Sequence, residues 1–256
     1  MIRSSLTDCI ILSPNHSGRR THKIDRITPH CVVGQLSAEG IGHCFDSKNR
    51  EASCNYGIGK EGRVCLIVDE DNRSWCTSSN SNDQRAITIE CASDTKHPYT
   101  FTDACYNKLI DLTVDICKRY GKTKLVWISN KEKALAYKPK DNELQVTVHR
   151  WFANKSCPGD WLMSRMNDYV NKVNSKLTSK VKSVTHKINN NTNNKLSYKV
   201  KVTADTLNYR KGPGTTYGIN GTITNKGIYT IVEEKNGWGK LGSGAGWISL
   251  KYTKKL

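Results

Sequence analysis

The sequence contains no apolar run approaching the roughly 20 residues needed to cross a bilayer as a helix, which excludes a helical membrane span. Its opening, Met1 to Leu12, holds only the short apolar run Ile10-Ile11-Leu12, without the longer apolar core of a secretory leader. Synthesis in the cytoplasm without a signal peptide is therefore expected, with any extracytoplasmic target reached by another route. None of the ten cysteines forms a Cys-x-x-Cys pair, and none lies beyond Cys157. A secreted disulfide scaffold is smaller and denser in cysteine, so reduced, mostly buried thiols are expected, with Cys157 set apart. No long-period internal repeat is present.

Acidic residues are scarce in the second part of the chain. Of the formal net charge of +17, residues 158–256 carry +12, from 17 basic and 5 acidic side chains. That imbalance implies a polyanionic partner: nucleic acid, an acidic membrane surface or an anionic cell wall. The basic residues are spread over a glycine-rich stretch and a linker without an RNA-binding aromatic signature, which argues against nucleic acid. With 256 residues, 36% hydrophobic and 25% charged, the chain suits one medium globular domain and one small one.

The pattern alternates strands and helices first, then gives short strands only. A strand ends near His30 in Thr28-Pro29-His30-Cys31, and two more meet at a turn on Lys60-Glu61-Gly62. Residues 77–84 read as a Ser/Asn-rich loop. In Ala86–Cys91, Ile87, Ile89 and Cys91 face one way and Thr88 and Glu90 the other. A carboxylate on that second face is either solvated or turned into a site. Thr102 to Tyr120 is the clearest helix, capped by Thr102 and closed by Gly121. Leu144 to His149 alternates as a strand that delivers His149 at its end. Trp161 to about Lys187 reads as a basic amphipathic helix leading into a linker, with a hinge in the Asn-rich run Asn189–Asn194.

The most chemically loaded stretch is Val148-His149-Arg150-Trp151-Phe152 followed by Lys155-Ser156-Cys157-Pro158-Gly159. Imidazole and thiolate are good zinc ligands, and a catalytic zinc takes three protein ligands and leaves one position open. One further histidine would complete the set, from His16, His22, His30 or His43; alternatively, His149 is an ordinary strand-end residue and Cys157 one thiol among ten. The stretch resembles the C-terminal metal motif of zinc N-acetylmuramoyl-L-alanine amidases of the peptidoglycan-recognition-protein fold, found in phage endolysins and bacterial autolysins. The resemblance covers roughly residues 5–165. It implies an α/β fold with a mixed central sheet flanked by helices, and Zn2+ held by His30, His149 and Cys157. Zn2+, one thiolate and two neutral imidazoles sum to +1, which lowers the pKa of a bound water to roughly 7. It further implies Glu90 as the group that orients or deprotonates the water and Lys155 as the donor to the oxyanion. Trp75, Asn80 and Arg150 would line the groove. Two departures stand out: Cys54 occupies the place of a tyrosine catalytic in some phage members, and Cys76 replaces the histidine of a groove tryptophan–histidine pair.

In the tail, Leu207-Asn208-Tyr209-Arg210-Lys211-Gly212-Pro213, with Gly237-Trp238 and Gly246-Trp247 further on, is similar to the bacterial SH3 motif, an all-β SH3-like barrel. That resemblance implies cell-wall binding through Asn208, Arg210, Tyr217, Trp238 and Tyr252. The expected organisation is a catalytic domain over 1–165, a linker over 166–197 and a wall-binding domain over 198–256. The expected function is a monomeric peptidoglycan amidase that cleaves between N-acetylmuramic acid and L-alanine and lyses bacteria once released to the wall. The rivals are a zinc peptidase acting on the stem peptide and a non-catalytic recognition protein. A thiolate ligand argues against the last, because a binding-only groove needs none.

Overall fold

The apolar and polar faces of Ala86–Cys91 become the two sides of a sheet. The computed structural model describes residues 2–184 and 198–256, in two units, Met1–Lys187 and Ile188–Leu256. The first unit runs β1 (Cys9–Ile10), β2 (His16–Arg19), β3 (Arg26–Cys31), α1 (Ala38–His43), β4 (Tyr56–Ile58), β5 (Val64–Leu66), β6 (Asn72–Ser74), α2 (Asn80–Asp83) and β7 (Ala86–Cys91). It continues with α3 (Asp103–Arg119), β8 (Lys124–Val126), α4 (Lys131–Ala136), β9 (Glu143–Val146), α5 (Asp160–Met163) and α6 (Met166–Val184). Seven strands form a mixed sheet in the order β1-β5-β4-β7-β3-β9-β8. Every neighbouring pair is parallel except β4–β5, the hairpin whose turn the sequence places at Gly62. Gly62 sits at φ +82°, and a Cβ there would lie 2.9 Å from the Ala104 carbonyl oxygen, so the turn requires glycine twice over.

The helix α3 forms as its pattern requires. The Thr102 hydroxyl accepts from the Cys105 N–H at 3.1 Å, Leu109, Leu112 and Ile116 are buried, and Gly121 follows at φ +65°. Its C-terminal end is tied down by Glu70, a fully buried carboxylate in a loop that looks merely polar in sequence. Glu70 accepts from Tyr56 Oη at 2.5 Å, from Tyr120 Oη at 2.8 Å and from two Arg119 N–H groups at 2.6 Å. On the opposite side of the sheet, α1 comes close because residue 57 is glycine: a Cβ there would meet Ile41 Cγ2 at 2.6 Å.

The helix α6 alters the expected organisation. Met166, Tyr169, Val173 and Leu177 are buried in the first unit's core. The Tyr169 hydroxyl meets Thr113 Oγ1 of α3 at 2.6 Å, and the Asn174 amide bridges the Leu125 N–H and carbonyl at 2.7 and 2.9 Å. The segment assigned to the linker from residue 166 thus opens with a core helix, because an apolar stripe of this length finds a partner in α3. The Asn189–Asn194 run lies outside the described residues.

The second unit contains β10 (Tyr198–Val202), β11 (Leu207–Arg210), β12 (Ile219–Ile223), β13 (Ile228–Lys235), β14 (Trp238–Leu241), β15 (Trp247–Ser249) and β16 (Thr253–Lys255). All neighbours are antiparallel in the order β12-β11-β15-β14-β13-β10-β16. One core, including Val200, Leu207, Ile231, Leu241 and Ile248, serves the whole sheet. Among the described residues no pairing joins β12 to β16, so the unit is an antiparallel sheet around a shared core without a closed ladder.

Two stability outcomes follow from this packing. Glu70→Gln leaves the Arg119 guanidinium with Asp115 alone and should lower stability by about 3 kcal/mol in urea denaturation. A chain ended at residue 187 should melt cooperatively, whereas one ended at 170 loses Val173, Asn174 and Leu177 and should melt many degrees lower, as followed by circular dichroism.

Candidate functional site

The parallel register of β3 and β7 places His30 directly beside Glu90. Both lie on the face shared with Thr28 and Thr88, away from Ile27, Ile87 and Ile89. That face is polar but satisfied over most of its extent. Asn82 of α2 bonds Arg26, Thr28 and Thr147 at 3.1 Å each, and Asn55 bonds the Thr88 N–H at 3.1 Å. The network ends at His30 and Glu90, where the site begins.

The strand β9 ends at Val146, and His149 opens a one-turn 3-10 helix, His149–Trp151, rather than closing the strand itself. The chain then turns back to Cys157. His30 Nδ1 lies 3.2 Å from Cys157 Sγ and 3.8 Å from Glu90 Oε1. The His30 and His149 rings are 5.0 Å apart. Candidate ligand atoms of His30, His149 and Cys157 all fall within 4.8 Å of one another, and so do those of His30, Cys76 and Glu90. The other histidines weighed in sequence are occupied elsewhere: His43 pairs with Asp46 at 2.8 Å, His22 meets Thr21 at 3.0 Å, and His16 Nδ1 accepts from the Gly18 N–H at 3.1 Å.

Burial sets the protonation of this group. It holds His30 well below the ordinary histidine pKa, and neighbouring His149 adds to the effect. His149 is lowered by burial and by the charge of Lys155, so both rings are neutral and available as ligands. The Cys157 thiol is pushed well up, chiefly by burial. Glu90 is raised to about 8 by burial, against the opposing charge of Arg50.

A cleft of ≈ 790 Å³ opens above these residues, within the size range of small-molecule sites. Trp75, Asn80, Glu90, His149, Lys155 and Cys157 line it, while His30, 1% exposed, lies beneath its floor. Trp75 is steadied by its Nε1–H bond to Ser17 Oγ at 2.7 Å. Arg150 is placed differently from the sequence expectation. Its guanidinium bonds Asp160 at 2.9 Å and the Ser156 and Cys157 carbonyls, so it braces the Cys157 loop instead of lining the cleft. The lining also includes Arg50, Arg73, Cys76 and Tyr99. Arg73 and Cys76 lie beside the flagged Trp75, but Arg50, at the end of the one-turn 3-10 helix Lys48–Arg50, and Tyr99, in a loop, have no sequence pattern to single them out. Cys54 and Tyr56 are fully buried, and the Tyr56 hydroxyl serves Glu70.

The donor set suits a metal. Two neutral imidazoles and a thiol converge, the combination zinc favours. Among the described residues, His149 Nε2 and Glu90 Oε2 are buried without a hydrogen-bond partner, and buried polar atoms left so are uncommon unless an ion or water completes them.

In the second unit, Asn208, Arg210, Trp238 and Tyr252 line a cleft of ≈ 600 Å³ together with Lys251. Tyr217 stands apart from the cleft, 47% exposed, with its ring packed against Gly212 and its carbonyl accepting from Arg210 Nη1 at 2.8 Å. Trp247 is buried against the core.

Among solved structures, PlyL is 17% identical, with 64% of this chain and 94% of that chain covered and a TM-score of 0.47. A mutant endolysin from Bacillus subtilis is 11% identical, with 64% and 97% covered and a TM-score of 0.46. The hydrolase AmiA of Staphylococcus aureus, solved in complex with its ligand, is 15% identical, with 72% and 96% covered and a TM-score of 0.47. No curated protein matches the chain. The profile of the family described as N-acetylmuramoyl-L-alanine amidase matches residues 20–160, more than half of the sequence. These residues span β3, β7 and the His149–Cys157 segment, and the chain belongs to the N-acetylmuramoyl-L-alanine amidase family.

Proposed function

We propose that the first unit hydrolyses the amide between the lactyl group of N-acetylmuramic acid and L-alanine in peptidoglycan, with zinc held by His30, His149 and Cys157. The observation that carries this reading is the convergence of those three donors beside Glu90 at the floor of a cleft, in a chain of the amidase family. Zinc in such a site supplies Lewis acidity toward the amide carbonyl and lowers the pKa of a bound water. The chain's own groups do the rest. Glu90, made more basic than a solvated carboxylate by its burial, takes the proton of the attacking water and passes it to the leaving amine. Lys155, on the cleft wall, donates to the oxyanion as the carbonyl becomes tetrahedral. Trp75 and Asn80 form the wall against which glycan or peptide lies, and Arg50 and Arg73 offer positive charge to the carboxylates of the stem.

We further propose that the second unit tethers the enzyme to the wall. Lys199 and Lys201 on β10 and Lys254 on β16 are exposed, and Lys201 is paired directly with Lys254. Like charges opposed across a ladder destabilise it, and an anionic polymer lying over the row would relieve that repulsion. The same unit presents its aromatic cleft for a neutral or acidic segment of the wall. A protein released to the wall from the cytoplasm, acting there as a monomer, fits this division.

Digestion of purified walls with product mass analysis tests the reading. Stem peptides with a free L-alanine amine beside intact glycan are expected; cuts within the stem would replace the amidase with a peptidase. Cys157→Ala should lose zinc in metal analysis. Glu90→Gln should keep zinc and lose about 10²–10⁴-fold in turnover.

Wall pelleting measures the tether. The full chain should pellet with walls more than the chain ended at residue 187, since a second binding module raises local concentration. That difference should shrink in salt of about 1 M, where screening acts within about 3 Å. If it survives salt but is lost in Trp238→Ala, the aromatic cleft and not the lysine row carries binding.

A further inference from the structure

The position beside Trp75, where the family resemblance places a groove histidine, holds Cys76, and its thiol does not face the cleft alone. Cys76 Sγ lies 3.3 Å from Nε2 of His30, on the opposite edge of the ring from Cys157, which lies 3.2 Å from Nδ1. A neutral imidazole has one N–H donor and one lone pair, on different nitrogens. If Nδ1 presents its lone pair toward Cys157 and His149, Nε2 carries the hydrogen. His30 is 1% exposed, so that hydrogen needs a partner inside the protein, and among the described residues the Cys76 sulfur is the group recorded at hydrogen-bonding distance from it.

We infer that Cys76 is a positioning residue for the metal centre: its sulfur accepts the Nε2–H of His30 and so fixes the ring with Nδ1 turned toward His149 and Cys157. The inference rests on the zinc reading proposed above. A ligating histidine almost always gives its other N–H to a carboxylate, a carbonyl or water, which fixes tautomer and orientation; here a thiol occupies that place. The backbone at Cys76 is itself held firmly. The Cys76 N–H donates to Asp83 Oδ2 at 3.0 Å, and Asp83 also takes the Thr77 N–H at 3.1 Å and the Thr77 hydroxyl at 2.6 Å. Asp83 lies in α2 next to Asn82, whose bonds to Thr28 and Thr147 anchor the helix to β3 and to the chain beyond β9. The arrangement runs from α2 through Cys76, half-buried at the edge of the cleft, to the buried His30.

A competing role is ligation by Cys76 itself, since His30, Cys76 and Glu90 also form a compact group. The ring geometry argues against it. One ion cannot use both nitrogens of one imidazole, so an ion bound through Nε2 beside Cys76 forfeits the nitrogen that faces Cys157.

Zinc affinity of the full chain, measured by competition with a chromophoric chelator, tests the inference together with the thiolate-to-cobalt absorption of the cobalt(II)-loaded protein. Cys76→Val keeps the side chain's bulk and removes the acceptor, and should weaken zinc by about 10–100-fold while the metal-free protein melts near the native temperature. Cys76→Ser restores an acceptor and should recover most of that affinity. The cobalt band should be as intense in Cys76→Ser as in the native chain, because Cys157 is the one thiolate ligand. Should Cys76→Val not fold, Cys76→Ala compared with Cys76→Ser makes the same measurement. Unchanged zinc affinity in the variant without an acceptor, or Ser no better than that variant, overturns the inference. A cobalt band that falls in Cys76→Ser overturns it in favour of ligation. A native chain that binds neither ion overturns the zinc reading itself, an outcome visible before any variant is made.

Discussion

The register between β3 and β7 is the constraint on which the site depends. Side chains in a strand alternate with period two, so a slip of one residue would send His30 or Glu90 to the other face, among Ile27, Ile87 and Ile89. The register is protected from both sides. Below the sheet those isoleucines are fully buried, and above it Thr28, Thr88, Asn55 and Asn82 are paired in a network that tolerates no offset. A buried polar network is worth keeping only when each member is satisfied. Thr28, Thr88, Asn55 and Asn82 are satisfied here; among the described residues the buried atoms without partners include Arg26 Nε at the far end and, at the cleft, His149 Nε2 and Glu90 Oε2.

What was legible in the sequence was whatever the periodicity of one element could carry. The alternation of Ala86–Cys91 located Glu90 on the minority face of a strand, and the helical spacing after Thr102 gave α3 with both ends. His149 and Cys157 stood out through the resemblance of their segment to the amidase metal motif, which spacing alone would not have supplied. Other features come from tertiary placement. An amphipathic stripe on α6 shows that something is covered but not what, so a core helix looked like the start of a linker. Arg150 stands next to His149 in the chain, yet its guanidinium turns to the Ser156 and Cys157 carbonyls, a direction adjacency cannot supply. Glu70 is one acid among several in Asp69–Asp71, and only the arrival of Tyr56, Arg119 and Tyr120 makes it a buried hub.

Under the proposed function the two units would use different physics for binding. The first encloses a cleft of mixed charge, in which Arg50, Arg73 and Lys155 stand near Glu51, Asp83 and Glu90, so recognition there is a matter of matched geometry. The second concentrates net positive charge on an antiparallel sheet, and attraction of that kind acts over a Debye length without requiring a fixed pose. A long-range, forgiving interaction joined to a short-range, exacting one suits a solid, repetitive substrate.

The His30–Glu90 pair and the walls of the cleft come from structurally different material. His30 and Glu90 sit on central strands of the sheet, whereas Trp75, Tyr99, Lys155 and the donor Cys157 stand on connecting segments, Arg50 and His149 on one-turn 3-10 helices and Asn80 at the start of the short helix α2. Connections tolerate insertion and substitution far better than paired strands do. The fold therefore separates what must stay constant from what is free to vary: selectivity for a different wall chemotype is open to change through the connections alone, while the ladder holding His30 beside Glu90 is left untouched.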